Sequence, residues 1–237
     1  MIGSHQHKFK EKGNYYICEC GKKILKFKID DGKKVGVRSN GRSYTKKANP
    51  NRFFFPEEYM KFEDSLKPKQ KVSVIFLINT GARINEARNV KVGDIDIDRK
   101  RIVLRITKTK AKKGERKGKP RIIPISSKFA KYLKAHIKNK NLGAEDYLGI
   151  LSNPALNIAY KKAGEKAGIK NFGDISSHTF RKTLEVWLMV LGVQDIPLTA
   201  HIGHDIKTAA SHYVSPDIFS WEDKQRIRDV IGDLYGR

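Results

Sequence analysis

From Phe53 onward, apolar residues recur along the whole length of the chain, and this distribution decides where a folded core can form. Residues 1–50 are instead rich in Lys, Gly and Asn, with 13 basic against 4 acidic side chains. A segment with little apolar mass buries little surface when it folds. We therefore predict a small basic N-terminal segment, residues 1–50, and a main domain, residues 51–237.

The N-terminal segment contains short alternating runs that predict three small strands, at Asn14–Cys18, Ile24–Ile29 and Val35–Arg38. The Asp31-Gly32 pair between the second and third runs is a strong hairpin signal. A sheet of this size has little apolar mass of its own.

Two cysteines, Cys18 and Cys20, are too few for a disulfide framework, which favours a reducing compartment. With His5 and His7 they could form half of a zinc knuckle. Structural zinc requires four ligands in more regular spacing, so we predict no metal site.

Helical spacing dominates the main domain. Pro56 begins a helix whose next two residues are acidic, and a buried helix over Lys71–Asn79 ends at Thr80-Gly81. Alternation at Arg101–Thr107 and Arg121–Ile125 predicts a hairpin, and the fold class is α+β, mainly α, with this small β-hairpin or sheet and the β-rich N-terminal segment. The other predicted helices are Asn85–Val90, Phe129–Ile137, Leu156–Ala163, one capped by Ser176 or Ser177 and ended at Gly192, Ile196–Ile202, Ile206–Tyr213 and Glu222–Leu234.

The charge balance points to an anionic partner. The chain has 49 Lys and Arg against 25 Asp and Glu, a formal net charge of +24, and nucleic acid is the commonest partner of so basic a surface. A ribosomal or chromatin-like role, or charge that serves solubility, is the alternative on composition alone. No apolar stretch approaches the roughly 20 residues that a bilayer requires, and no signal-peptide core is present. We expect a cytoplasmic protein without a membrane partner.

Breaking DNA without a metal requires fixed cations around the phosphate, because attack adds negative charge to the non-bridging oxygens. Guanidinium suits this task, since it is permanently charged and binds two oxygens at once. Arg83 follows a predicted helix end, and Glu86 lies one turn further on, where it can hold the guanidinium. Taken alone, Arg83 is more simply explained as a surface arginine beside a helix cap.

The segment Arg105–Arg121 has nine basic residues among seventeen, with Glu115 as its one acid. Such a loop cannot pack into a core and is expected to lie along phosphates, although a solvated charge run is the default alternative. Lys108 or Lys110 could protonate a leaving-group oxygen. The candidate DNA-binding residues are Lys110, Lys112, Lys113, Arg116, Lys117, Lys119 and Arg121.

Two further groups carry proton and nucleophile chemistry. The spacing of three between His178 and Arg181 puts both on one helical face, and a neighbouring guanidinium disfavours a second proton on the imidazole. Tyr213 follows Gly203-His204 by nine residues. A phenol becomes a usable nucleophile only where positive charge and a base lower the cost of the phenolate. A capping histidine and a half-buried core tyrosine are the structural alternatives.

These groups occur in an order that resembles the tyrosine recombinase (phage integrase) family, over about Phe53 to Tyr213. The matching segments are Thr80–Ala87 for the first arginine box, Thr107–Lys110 with Lys119–Ile125 for the lysine hairpin, His178–Arg181 for the His-x-x-Arg box, and Gly192, Gly203-His204 and Tyr213 for the last box.

The resemblance implies a site-specific recombinase or integrase that cleaves and rejoins double-stranded DNA through a 3′-phosphotyrosine, without metal, nucleotide or other cofactor. The implied catalytic roles are phosphate clamping by Arg83 and Arg181, attack by Tyr213, protonation of the 5′-oxygen by Lys108 with Lys110 as second candidate, base catalysis by His178, and transition-state support by His204.

The resemblance further implies a tetramer on two DNA partners, in a prokaryotic host cell and encoded by a virus, plasmid or other mobile element. The C-terminal helix, Glu222–Leu234, is expected to dock on a neighbouring subunit. Two features depart from the family: Lys182 follows Arg181 where many members have histidine, and about fifty residues replace the usual helical core-binding domain. These fifty residues could form a β-sheet DNA-arm module, as some integrases carry. Type IB topoisomerase-like relaxation of DNA and a non-catalytic DNA-binding derivative remain the alternative functions.

Overall fold

A computed structural model describes residues 8–12, 15–21, 23–25, 35–37, 43–45, 49, 52–105, 120–203 and 215–236. The chain divides into two compact units, Met1–Pro50 and Asn51–Arg237.

The N-terminal unit contains two small antiparallel sheets. Strands β1 (Phe9–Lys12), β2 (Tyr15–Cys18) and β3 (Lys23–Leu25) pair in the order β1-β2-β3, and β4 (Val35–Val37) pairs with β5 (Ser43–Thr45). The three predicted strands correspond to β2, β3 and β4. The alternation did not reveal β1 and β5, and β4 pairs outside the sheet that contains β2 and β3.

The second unit is mainly helical, as predicted. Its helices are α1 (Pro56–Asp64), α2 (Pro68–Thr80), α3 (Ile84–Arg88), α4 (Ser127–Lys140), α5 (Asn153–Lys166), α6 (Ser177–Val190), α7 (Asp195–Ile202) and α8 (Trp221–Ile231). Single 3₁₀ turns lie at Val92–Asp94, Phe172–Asp174 and Pro216–Ile218. The helix predicted over Ile206–Tyr213 lies outside the described residues.

Helix α6 is the centre of the core. All its residues except His178 and Met189 are buried, and it packs along α2. The chain entering the domain is fixed to it, because Thr183 Oγ1 accepts from the Phe54 amide at 3.0 Å and Trp187 Nε1 donates to the Phe54 carbonyl at 3.0 Å. A helix buried on nearly every side cannot turn all of its polar residues to solvent, and this places Arg181 in the interior.

A three-stranded antiparallel sheet borders the helices, with β6 (Ile95–Asp96), β7 (Arg101–Leu104) and β8 (Arg121–Pro124) in that order. Leu104 pairs with Arg121, so the ends of β7 and β8 meet where the lysine hairpin was predicted. Residues 106–119 of that hairpin lie outside the described residues. Two-residue β6 adds the strand that alternation did not reveal.

The C-terminal helix packs on its own chain. Ile227 and Ile231 of α8 and Leu234 beyond it are buried, and α8 contacts α1. Asp233 accepts hydrogen bonds from the Ser127 amide at 2.6 Å and from Ser127 Oγ at 2.5 Å. Docking of this helix on a neighbouring subunit stays a prediction. Within the described residues, no helix is long and apolar enough to cross a membrane.

Candidate functional site: an arginine cluster

The first arginine is placed by the turn that ends α2. Gly81 adopts a left-handed conformation with φ +57°, and a Cβ there would lie 2.8 Å from Ile202 Cδ1, so the turn requires glycine. Two residues later Arg83 caps α3, with its amide donating to Glu86 Oε2 at 2.8 Å. Arg83 Nη1 donates to Glu86 Oε1 at 2.9 Å, so the predicted role of Glu86 in holding this arginine is confirmed.

Glu86 also binds a second guanidinium. Arg121 Nη1 and Nη2 donate to its two carboxylate oxygens at 3.0 and 2.8 Å. The side chains of Glu86 and Arg121 are only 2% and 13% exposed, so this is a largely buried, two-point ion pair. Burial by itself raises the pKa of Glu86, but the hydrogen bonds and charges of Arg121 and Arg83 outweigh it and hold the pKa below 4.5.

Arg181 enters from α6. It is 4% exposed, and its Nη1 donates to the Gly81 carbonyl at 2.7 Å, immediately before the Arg83 turn. Burial, together with the charges of Arg83 and Arg121, lowers the pKa of Arg181 to about 9. The three guanidiniums are therefore close enough to repel one another. We call Arg83, Arg121, Arg181 and Glu86 the arginine cluster.

The end of α7 closes this cluster. Gly203 ends the helix with φ +75°, and its carbonyl accepts from Arg83 Nη2 at 3.3 Å. The His201 carbonyl accepts from Arg121 Nε at 3.1 Å. A Cβ on Gly203 would lie 3.1 Å from three atoms of the Arg121 side chain, so a larger residue would press on the arginine. The chain continues directly into His204.

His178 and Arg181 of the His-x-x-Arg pair differ in burial. His178 is exposed in the first turn of α6, whereas Arg181 and Lys182 are buried. Thr179 Oγ1 accepts from the Ser176 amide at 3.0 Å, which makes Ser176 the helix cap. Burial lowers the pKa of Lys182, although Glu185 opposes this effect.

The structure thus brings Arg83, Arg121 and Arg181 together, with His178 at the start of the same helix as Arg181. Arg121, predicted to contact DNA, has its guanidinium turned inward onto Glu86, so a direct contact with DNA stays a prediction. Among the described residues there is no group of three or more metal-ligating side chains. The remaining candidates lie outside the described residues: Lys108, Lys110, Lys112, Lys113, Arg116, Lys117, Lys119, His204 and Tyr213.

Sequence reasoning missed two members of this site. His201 is 1% exposed, and its Nδ1 lies 3.1 Å from the Oη of Tyr235. Neither residue belongs to the boxes that pointed to the site, and 34 positions separate them in the chain. The one signal available was the polar character of His201 within an otherwise apolar end of α7.

A mainly helical domain with a three-stranded antiparallel sheet and clustered arginines is the architecture of a tyrosine recombinase catalytic domain. The sequence model of the phage integrase family matches residues 56–218, and the chain belongs to this family. Tyrosine recombinase XerA of Saccharolobus solfataricus is 33% identical over 155 residues, which cover 64% of this chain and 48% of that protein. XerA of Thermococcus kodakarensis is 24% identical over 72% of this chain and 59% of its own length.

Solved structures share the fold. The catalytic domain of bacteriophage HP1 integrase has a TM-score of 0.51 at 19% identity, over 68% of this chain and 86% of that domain. The Tn1549 transposon integrase in complex with a circular intermediate DNA has a TM-score of 0.58 at 16% identity, over 77% of this chain and 66% of that one. The match covers about half of the Saccharolobus solfataricus XerA, 48% of its length.

Proposed function

We propose that this protein is a site-specific DNA recombinase that cleaves and rejoins double-stranded DNA through a 3′-phosphotyrosine formed by Tyr213. The observation that carries the proposal is the arginine cluster, in which Arg83 and Arg181 converge from two different helices. Membership of the phage integrase family supports the same function.

The electrostatics of the cluster suit a transferring phosphoryl group. Two of the three guanidiniums, those of Arg83 and Arg121, share the buried Glu86 carboxylate, and Arg181 adds a third positive charge, which leaves an excess of positive charge before any DNA binds. An in-line attack on phosphorus spreads negative charge over the non-bridging oxygens, and fixed donors stabilise that charge without reorganisation. Arg83, with a side chain 47% exposed, and Arg181 are the clamp in this mechanism.

The proton transfers fall to the other residues that the family resemblance assigns. Tyr213 attacks phosphorus and loses its proton, with His178 as base, while Lys108 protonates the departing 5′-oxygen and Lys110 is the second candidate. His204 supports the charged transition state directly after Gly203. The phosphotyrosine conserves the bond energy until another 5′-hydroxyl reverses the step, so the reaction consumes no nucleotide.

The wider assembly is part of the proposal. A tetramer would hold two DNA partners, and the basic hairpin and the N-terminal sheet would each contribute contacts with phosphates. The fold shared with a transposon integrase supports a role in the integration or excision of a mobile element in a prokaryotic cell. Relaxation of supercoils without strand exchange is the second candidate, because the same cluster serves both reactions.

The decisive experiment maps the covalent adduct. A binding selection from random duplex DNA supplies the site, and nicked versions of that duplex trap the cleaved complex as a band stable to detergent. We expect the wild type to form the adduct and Tyr213→Phe to bind DNA with unchanged affinity but form none. Tyr147→Phe, at an exposed tyrosine outside the cluster, is the matched control and keeps full activity.

Each other outcome points to a different function. An adduct formed by Tyr213→Phe reassigns the nucleophile. Specific binding without any wild-type adduct identifies a non-catalytic derivative. Adduct formation with plasmid relaxation but without exchange between two sites identifies the topoisomerase-like activity.

A further inference from the structure

Tyr235 lies beyond α8 and contacts His201 of α7, whose carbonyl binds Arg121 of the arginine cluster. Its Oη is 3.1 Å from His201 Nδ1, and the two rings meet edge to face with centroids 5.6 Å apart. Its backbone is left-handed with φ +56°, which is uncommon for an aromatic residue and costs conformational energy. The surrounding contacts must hold this conformation in place.

The neighbouring contacts fix Tyr235 firmly. Leu234 is 3% exposed, and Asp233 accepts two hydrogen bonds from Ser127 at the start of α4. A short segment anchored on both a buried leucine and a helix N-terminus presents the next side chain in a defined position. The phenol of Tyr235 is thus a fixed group and not a mobile end.

His201 connects this fixed phenol to the cluster. Its side chain faces Tyr235, and its carbonyl accepts from Arg121 Nε at 3.1 Å. Burial lowers the pKa of His201 to about 3, with the charges of Arg121 and Arg181 acting in the same direction and the Thr80 backbone opposing them. The imidazole therefore stays neutral at physiological pH and serves as a structural hydrogen-bond partner.

From His201 the contacts form a closed circuit. Arg121 binds Glu86 at two points, Glu86 binds Arg83, and Arg83 donates to the Gly203 carbonyl, two residues after His201. The last turn of α7 is thereby held by two arginines on its carbonyl side. Tyr235 holds the same turn through the hydrogen bond between its hydroxyl and the His201 side chain.

We propose that Tyr235 is a positioning residue for strand transfer: its hydrogen bond to His201 fixes the end of α7, and with it Gly203, against Arg83 and Arg121. This inference rests on the proposed function of the arginine cluster. Tyr235 itself touches neither DNA nor the reacting phosphate. It acts by holding the backbone that leads into His204 in the geometry that the clamp requires.

The first test removes one hydroxyl. We expect Tyr235→Phe to slow single-turnover cleavage of the nicked duplex about threefold to tenfold, the range that corresponds to one net hydrogen bond, while DNA affinity is unchanged. Ser73→Ala is the matched control, because its buried Oγ accepts from the Leu151 amide at 3.0 Å, away from the cluster. Equal slowing by the two variants would mean that Tyr235 serves general stability alone.

A double-mutant cycle identifies His201 as the intermediary. His201→Leu removes the partner, and His201→Asn keeps a polar group near the position of Nδ1. We expect Tyr235→Phe, His201→Leu and the double variant to cleave at similar rates, and His201→Asn to recover part of the wild-type rate. Additive losses in the double variant would show that the two side chains act independently and would overturn the proposal.

Hydrogen exchange tests the positioning without any DNA. The Gly203 amide donates to the Thr199 carbonyl at 2.7 Å, so its protection reports on the end of α7. We expect faster exchange at residues 198–203 in Tyr235→Phe but not in Ser73→Ala. Unchanged exchange at residues 198–203 refutes the positioning role of Tyr235, even if the enzyme is active. A wild type that forms no adduct refutes instead the proposed function of the arginine cluster. In that case the exchange result alone decides whether Tyr235 fixes the end of α7.

Discussion

The arginine cluster has two halves that hold their guanidiniums by different means. On one side Arg83 and Arg121 bind the Glu86 carboxylate, which orients both and offsets their charge. On the other side Arg181 is buried against the Gly81 carbonyl, and its pKa is lowered to about 9 by burial and by the other two arginines. In this carboxylate-bound half, the Glu86 carboxylate orients the two guanidiniums and compensates part of their charge. In the buried half, which is Arg181, a bound phosphate would stabilise the charged form of the guanidinium.

The largest effect is expected from removing the carboxylate charge. Glu86→Gln leaves the cationic groups of the cluster without their shared buried counter-charge and should lower the free energy of unfolding by about 3 kcal/mol. Urea unfolding followed by tryptophan fluorescence measures this loss. Glu145→Gln is the control, because Glu145 pairs with Lys91 at 2.7 Å but is 87% exposed, and we expect it to cost about 1 kcal/mol at most. Equal losses in the two variants would contradict the central role of Glu86.

This contrast between halves was only partly visible in the sequence. The Arg83–Glu86 pair is local, three residues apart at the start of a helix, so spacing was sufficient to predict it. The Glu86–Arg121 pair joins residues 35 positions apart, and neither periodicity nor charge count fixes such a contact. The number of basic residues in the hairpin instead led to the prediction that Arg121 binds DNA with its neighbours. Composition does not show which guanidinium turns inward.

Helix existence was predictable for the same local reason. Apolar spacing and the Thr80-Gly81 stop signal gave α2, and Gly81 ends it in the left-handed conformation. The two-residue strand β6 and the distant contact of His201 with Tyr235 left no periodic signal. The spacing of His178 and Arg181 predicted one shared face of α6, but it could not show that His178 is exposed in the first turn whereas Arg181 is buried.

A smaller effect should distinguish the buried half by its response to anions. Sulfate imitates a phosphate. If sulfate binds near Arg181, a sulfate concentration ten times its dissociation constant should raise the free energy of unfolding by about 1.4 kcal/mol. Calorimetry in sulfate and in chloride at equal ionic strength measures the gain. Arg181→Met should lose most of it. Arg99→Met, at a side chain 74% exposed, corrects for the general stabilising action of sulfate and should gain as much as the wild type. An equal gain in Arg181→Met would show that the buried half does not attract anions.

The smallest effect is a pH dependence that belongs to the carboxylate-bound half. The pKa of Glu86 in the folded protein lies below the ordinary 4.5, because the hydrogen bonds and charges of Arg121 and Arg83 outweigh burial. A carboxyl with a lowered folded pKa contributes stability that is complete above pH 4.5 and is lost as the pH falls through the folded value. The gap in melting temperature between the wild type and Glu86→Gln should therefore have its full size above about pH 5 and shrink as the pH is lowered from about 5 through the folded pKa of Glu86. Glu57→Gln removes a carboxylate from an exposed i,i+4 pair with Lys61 and should show a much smaller gap throughout. A Glu86→Gln gap that stays constant over this range would mean that orientation of the two guanidiniums, and not the charge of the carboxylate, is what stabilises this half of the cluster.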